Sequence, residues 1–529
     1  MKIVIADSLP DSAAAVFRDE GWTVDARAGR PHDELLRDLA DADALVVRSA
    51  TKVDAALIAA APRLQVVARA GTGVDNVDLD AASERGILVV NAPGANSVSV
   101  AEHTCALMLA MSRSIAMADA QMKEGRWEKK SLRGGELRGK TLGVIGLGRI
   151  GREVARRARA FEMKLVAHDP FISAQVAADI DVDLVSLDDL CERADFITLH
   201  VPSSAGNGPL IGRDQLARCK RGVQIINTAR GDLIDEDALA EALREGHVAG
   251  AGLDVFGVEP PANTILTGLP GVVATPHIAA STKEAQELVG VETATCVRDF
   301  LRSGVVRNAV NFASVPPEEF KRLQPFISLA ERLGSVLAQV NDDRIEGVGV
   351  RYYGELAGEG HALLVGAVLV GLFRPVLSSS VTLVNARAIA EQRGVEVVES
   401  QSSRPRNFTS LISVKVYTDA GERWIEGAVF APNEPRLVLL DGVGVEAALD
   451  GELIVLQNTD QPGVIGEVGT ILGRHNVNIA GFALGRGTSG AVGVVTVEAD
   501  GTHPALPHGV LEEIQQVPAI RSAHLVRLS

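Results

Sequence analysis

The chain has 529 residues, 46% of them hydrophobic and 23% charged, with a formal net charge of −16 and a pI near 5.3. That length exceeds one ordinary domain and implies three or four, while an acidic balance without a basic block sets nucleic acid and anionic membrane surfaces aside as partners. The four cysteines, Cys105, Cys191, Cys219 and Cys296, stand far apart with no CxxC pair, which argues against a disulfide framework or a zinc site and suits a reducing cytosol.

In chain order, "MKIVIADS" reads as a buried strand rather than a signal peptide, because Asp7 interrupts the apolar run. "ALVVRS", "LQVVARAG" and "GILVVNAP" repeat the pattern, separated by Ala-rich helical stretches, as in a parallel sheet covered on both faces. Residues 98–125 read as one long helix opened by Ser97 or Ser99. A second strand–helix series follows: "TLGVIGLG", "KLVAHDP", "DFITLHVP", "VQIINTAR", "GAGLDVF" and "GVVATPHI". At "SVPPEEF" a Pro pair marks a boundary. Beyond it come a helix over 323–340, the apolar run 362–373, which is too short to span a bilayer and is expected in a core, and alternating strands. From about residue 451 the order is strand, helix, strand, strand, helix, strand.

The strongest motif is "GVIGLGRIGREVARRARAFEMKLVAHDP". Gly146, Gly148 and Gly151 form G-x-G-x-x-G between an apolar strand and a helix. The first glycine permits the tight turn, the second lets backbone approach a pyrophosphate, and the third lets helix and strand pack closely. The helix start adds free N–H groups for phosphate, with Arg149 and Ile150 in the same turn. Asp169 lies 23 residues beyond Gly146, where a carboxylate accepts from the ribose hydroxyls and repels a 2′-phosphate. NAD is therefore the expected cofactor.

Hydride transfer at a hydroxyl carbon also needs a base for the alcohol proton and a cation for a carboxylate or developing charge. Arg230 in "NTARGDLID", Glu259 in "LDVFGVEPP" and His277 in "TPHIAAST" all follow expected strand ends, the side on which open α/β sheets bind ligands. Arginine offers a fork to a 2-hydroxy carboxylate, and a glutamate beside an imidazole holds its tautomer. Thr228, in the same segment as Arg230, joins the cofactor set.

Over about residues 1–310, these segments resemble the D-isomer-specific 2-hydroxyacid dehydrogenases. "VVRSATKVDAALIAAAPRLQVVARAGTGVDN" resembles the branch that oxidises D-3-phosphoglycerate, the first step toward L-serine. The resemblance implies Arg230, Glu259 and His277 as the catalytic set and Asp254 at the nicotinamide carboxamide. It implies Arg48, Ser49, Arg69 and Gly71 around the substrate, with Lys129 or Lys130 of "RWEKK" reaching a neighbouring subunit's phosphate in a homo-oligomer, dimer or tetramer. The alternative within the family is a reductase of glyoxylate, hydroxypyruvate or another phosphorylated acid; outside it, an NADH-binding sensor without turnover.

The last unit resembles an ACT domain, a module that binds amino acids, on "NTDQPGVIGEVGTILGRHNVNIAGF". That implies Asp460 and Asn478 around an effector, L-serine. The resemblance gives an α/β chain of two Rossmann-like catalytic domains followed by two α+β regulatory domains. The expected division is a substrate-binding domain over 1–97 and 282–314, an NAD-binding domain over 98–281, an intervening domain over 315–450 and the ACT domain over 451–529, in a cytoplasmic enzyme.

Overall fold

The computed structural model describes the chain except residues 204–207, 262–265, 357–360, 379, 405, 431–432, 489, 499–505 and 529. Four sheets hold the described strands. The first is all parallel, in the order Thr23–Ala26, Lys2–Ile5, Ala44–Val47, Val66–Arg69, Leu88–Val90. Its inner strands are continuous runs of Val, Ile, Leu and Ala because helices cover both faces. The edge strand "TVDA" is short, partly exposed and polar, and carries no strand signal in the sequence.

The second sheet has seven parallel strands, with Thr141–Ile145 between Phe196–Leu199 on one side and Lys164–His168 on the other. Strand order reverses there, which opens a crevice at the carboxyl end of Thr141–Ile145. Val223–Asn227, Val248–Leu253 and Val272–Ala274 continue the sheet beyond Phe196–Leu199, so the segments carrying Arg230, Glu259 and His277 leave it on that same side.

Two stretches join these sheets. The expected single helix over 98–125 is two helices, Ser97–Ser112 and Ile115–Lys123, broken at Ser114 in the left-handed conformation (φ 50°). The amide of Gly135 takes the Ser112 carbonyl at 2.9 Å, an acceptor a continuous helix would have used. Neither Ser97 nor Ser99 caps the first helix; Ser97 is its first residue, and the Ser99 hydroxyl instead lies 2.7 Å from that of Thr282. Thr282 caps the helix Lys283–Ser303, which returns to pack on the first sheet. The two crossings are thus bonded to each other.

The third sheet is mainly antiparallel and packs on the helices Pro317–Val340 and His361–Phe373. The first of these begins six residues before the expected start, with prolines at its N-terminus where their missing N–H groups cost nothing. His361–Phe373 contains the apolar run and is buried over 363–373, and among the described residues no helix is long and apolar enough to cross a membrane.

The fourth sheet, ordered Asn478–Gly487, Gly490–Glu498, Glu452–Asn458, Ile520–Arg527, is antiparallel with the βαββαβ order. One face packs on its own helices through Val464, Val468, Leu472 and Ile514. The other face, through Leu453, Val455, Val492, Val494 and Val526, belongs to the core of the 315–449 block.

Candidate active site

Gly146 adopts φ +90°, and a Cβ there would stand 2.6 Å from the carbonyl oxygen of His200 on the neighbouring strand end. A Cβ on Gly151 would stand 2.0 Å from the Gly146 carbonyl, so helix Arg149–Ala160 can lie this close only with hydrogen at that position. At Gly148 a Cβ would meet nothing within 4 Å. The first and third glycines are therefore required by the protein itself. The second faces open space at a helix N-terminus, which fits a pyrophosphate. Asp169 accepts the amides of Leu147 (2.8 Å) and Phe171 (2.9 Å), which ties the carboxylate to the glycine turn. Arg149 is exposed in the same turn, and Ile150 is half-buried.

His200 was not singled out from the sequence. Burial pushes its imidazole down to about 3, so it is neutral at physiological pH. Nε2 lies 3.0 Å from the Thr198 hydroxyl.

On the far side of the switch point Asp254 is fully enclosed. Its carboxylate accepts the Thr275 hydroxyl (2.6 Å) and the amides of Ile278 and Ala279 (both 2.9 Å), and the His103 imidazole lies 3.4 Å away. Burial alone would raise this carboxyl, but the bonds from His103, Thr275, Ile278 and Ala279 outweigh it and hold it below the ordinary value. The Asp254 carbonyl also accepts the His277 amide at 2.9 Å. His277 itself sits in the left-handed region at φ 53°, a conformation that costs a non-glycine residue about 1 kcal/mol or more and that these bonds hold in place. From that turn its Nδ1 meets Glu259 Oε2 at 2.7 Å, while Glu259 Oε1 accepts the Phe256 amide at 3.1 Å.

Arg230 enters from the next strand end. Asn227 is almost wholly buried; it donates to the Arg230 carbonyl (2.7 Å) and accepts the Ala229 amide (3.0 Å). Gly231 lies against the backbone of Phe256 and Gly257, bringing the Arg230 turn beside that of Glu259. The guanidinium reaches over Gly73 to the first sheet, with Nε and Nη2 each 3.0 Å from Asp75 Oδ2 and Nη1 donating to the Ala229 carbonyl. Of five N–H donors, two remain for a ligand, one on each terminal nitrogen. Thr228, in the same turn, is buried with its hydroxyl 2.8 Å from that of Thr104.

The first sheet contributes a second guanidinium. Arg69 is mostly buried, and its pKa is pushed down to about 10 by that burial and by the neighbouring Arg230. Its Nε has no hydrogen-bond partner among the described residues. A shielded cation with an unused donor, beside another cation, is a natural seat for an anion. Gly71 at φ +157° lies directly against the Arg69 side chain. Arg48 and Ser49 follow the adjacent strand on a turn held by Asp7, which accepts the Arg48 amide at 2.5 Å. Lys129 and Lys130 are exposed on the segment Lys129–Leu132.

Asp460 and Asn478 lie in the fourth sheet's unit, Asp460 3.4 Å from Arg486 and Asn478 donating to Glu498 at 2.9 Å. Strand Asn478–Gly487 is an edge of that sheet. An open groove of about 620 Å³ in this unit runs between its two helices along Gly463, Gly466, Thr470, Arg474 and Glu513, and neither Asp460 nor Asn478 lines it.

Asp75, His103, Asn227 and Thr275 also escaped the sequence reading. His103 stands in the helical stretch 98–125, but nothing in one sequence marks an imidazole for a strand end more than 150 residues away.

Three family descriptions match the chain: the NAD-binding domain of D-isomer specific 2-hydroxyacid dehydrogenases over residues 105–279, the intervening domain of D-3-phosphoglycerate dehydrogenase over 322–441, and the ACT domain over 452–519. The chain is 43% identical over 529 residues to D-3-phosphoglycerate dehydrogenase of Archaeoglobus fulgidus, covering 100% of both. It is 39% identical to that of Bacillus subtilis, over 92% of each. Among solved structures, NAD-dependent formate dehydrogenase from Staphylococcus aureus in complex with NAD is 31% identical, with a TM-score of 0.54, covering 60% of this chain and 100% of that one. D-lactate dehydrogenase from Aquifex aeolicus with NAD and lactic acid is 29% identical, with a TM-score of 0.52, covering 57% and 96%.

Proposed function

Because the chain belongs to the D-3-phosphoglycerate dehydrogenase family of NAD-dependent 2-hydroxyacid dehydrogenases, we propose that it oxidises D-3-phosphoglycerate to 3-phosphohydroxypyruvate in the cytoplasm, as the first step toward L-serine. The observation that carries the chemistry is the 2.7 Å contact between His277 Nδ1 and Glu259 Oε2. A carboxylate only accepts, so Nδ1 carries hydrogen and Nε2 is left to face the substrate. In the oxidation His277 Nε2 takes the proton of the C2 hydroxyl, and Glu259 stabilises the imidazolium that forms. Arg230 turns its two unused N–H groups to the substrate carboxylate and C2 oxygen. NAD would be held by the Gly146–Gly151 turn with Asp169 at its ribose, and when bound it would supply the hydride acceptor for C2. Asp254 and Thr228 bound the nicotinamide pocket.

The phosphate is assigned to the arginines of the first sheet, Arg48 and Arg69 beside Ser49 and Gly71, with Lys129 or Lys130 supplied by a second subunit. Val98, Ile115, Met117, Met122 and Trp127 are exposed along the segment that carries those lysines, which supports a homo-oligomer formed through it. The ACT unit is assigned L-serine, bound between subunits along the edge strand that begins at Asn478, with Asp460 nearby. NADH formation with 3-phosphoglycerate against unphosphorylated D-glycerate tests the substrate. A clear preference for the phosphorylated acid is expected, and equal turnover of the two would overturn the assignment.

A further inference from the structure

The helix Ser97–Ser112 carries two adjacent side chains into the second sheet's strand ends. Thr104 meets Thr228 beyond strand Val223–Asn227. His103 reaches past the next strand, its Nε2 3.0 Å from Thr275 Oγ1 and 3.4 Å from Asp254 Oδ1. Thr275 donates its only hydroxyl hydrogen to Asp254 at 2.6 Å. Its oxygen can therefore only accept from the imidazole, and His103 must carry hydrogen on Nε2. The imidazole thus bridges the hydroxyl and carboxylate that fix the turn 275–279: Asp254 holds the amides of Ile278 and Ala279, and its carbonyl holds that of His277.

That turn keeps His277 at a positive φ, which its neighbours must enforce. With the Nε2 donor absent, Thr275 is free to rotate and Asp254 loses the imidazole as a counter-group in a fully buried position. The turn would then relax toward ordinary backbone and carry the imidazole away from its place against Glu259.

We propose that His103 is a positioning residue: through its Nε2–H it locks Thr275 and Asp254, and so holds His277 in the geometry required for proton transfer. This rests on the reading of His277 as the acid–base group. His103 also sits on the helix that crosses between the two catalytic sheets, so the lock ties the proton-transfer residue to the element that joins them.

The test compares His103→Gln with His103→Asn in the full-length chain. The glutamine amide nitrogen overlays imidazole Nε2, whereas the asparagine amide stops short at the level of Nδ1. His103→Gln is expected to retain kcat within about threefold, and His103→Asn to lose about 10²-fold, the loss typical of a misplacement near 1 Å. Substrate KM should stay within about threefold in both, because the anion-binding arginines are untouched. Hydrogen exchange at the Ile278 and Ala279 amides should quicken in the asparagine variant and not in the glutamine variant.

Equal kcat in His103→Asn and wild type, or equal losses in both variants, would overturn the lock. His277→Ala, measured alongside, separates the two readings. If it retains activity, the acid–base assignment fails; if it is inactive while His103→Asn is unimpaired, only the positioning role fails.

Discussion

At the residue scale, two side chains carry distinct predictions. Replacing His277 by alanine removes the proton acceptor and leaves the glycine turn intact. The kcat should fall by about 10²–10⁴ with NADH affinity nearly unchanged, read by steady-state rates and fluorescence titration. Asp254 carries a prediction of pH dependence. Its unfolded carboxyl titrates near the ordinary 3.8 and its folded one lower. Between those values the unfolded chain binds more protons, so the stabilisation is complete above the unfolded value and fades as pH falls toward the folded one. Asp254→Asn should therefore lower the melting midpoint of the NADH-responsive transition at about pH 6, with the gap to wild type closing toward about pH 3. A gap constant over that range would place the value of Asp254 in something other than its charge.

At the scale of the element, the glycine turn separates structural from ligand-facing positions. Gly151→Ala drives a methyl group into the Gly146 carbonyl and should destabilise by about 1–3 kcal/mol, seen as a lower melting midpoint without cofactor. Gly148→Ala meets open space, so the apo protein should melt as wild type while NADH binding weakens. Gly148→Ala with unchanged NADH affinity would remove the pyrophosphate from this turn. The helix Ser97–Ser112 shows how an element acquires a function its pattern does not announce. Its periodicity announces only a helix, yet one turn of it serves the strand ends of both Thr228 and Thr275.

For the whole molecule, the packing of the last two units predicts how the chain can be divided. The inner face of the fourth sheet is part of the core built on helix Pro317–Val340, and the Gln339 side chain bonds both the amide and carbonyl of Arg527 at 2.9 and 3.1 Å. Gln339 thus bonds to the edge strand Ile520–Arg527, while the opposite edge strand, Asn478–Gly487, lies against Gly444 through Gly485. The same block touches the first sheet's domain through Thr382, which donates to the Gly86 carbonyl at 2.8 Å, and Asn385, which donates to that of Glu84 at 3.3 Å. A chain ended near residue 450 uncovers the apolar face of Pro317–Val340 and should aggregate or melt early. One ended near 314 should stay soluble, keep turnover where it still associates, and ignore L-serine. The full chain should bind L-serine with a coupling of about 1–3 kcal/mol to the catalytic site, measured by calorimetry and inhibition. Inhibition that survives truncation at 314 would move the effector site out of the ACT unit.

The sequence by itself determined the features that depend on neighbours along the chain. Strand runs such as "TLGVI" and "VQIIN" are apolar because both sheet faces are covered, and the glycine spacing with Asp169 in register is a local pattern of turn and helix start. The order of units and the strand-end positions of Arg230, Glu259 and His277 follow from the same local signals. Only the tertiary structure decided which distant groups meet. Asp75 against Arg230 and His103 against Thr275 are separated by well over a hundred residues, and their pairing depends on how two sheets pack across a shared helix. The break at Ser114 arises because Gly135 returns to take a carbonyl that the helix would have used. The continuous core of the third and fourth sheets was equally hidden, because an apolar strand shows that it is covered but not what covers it.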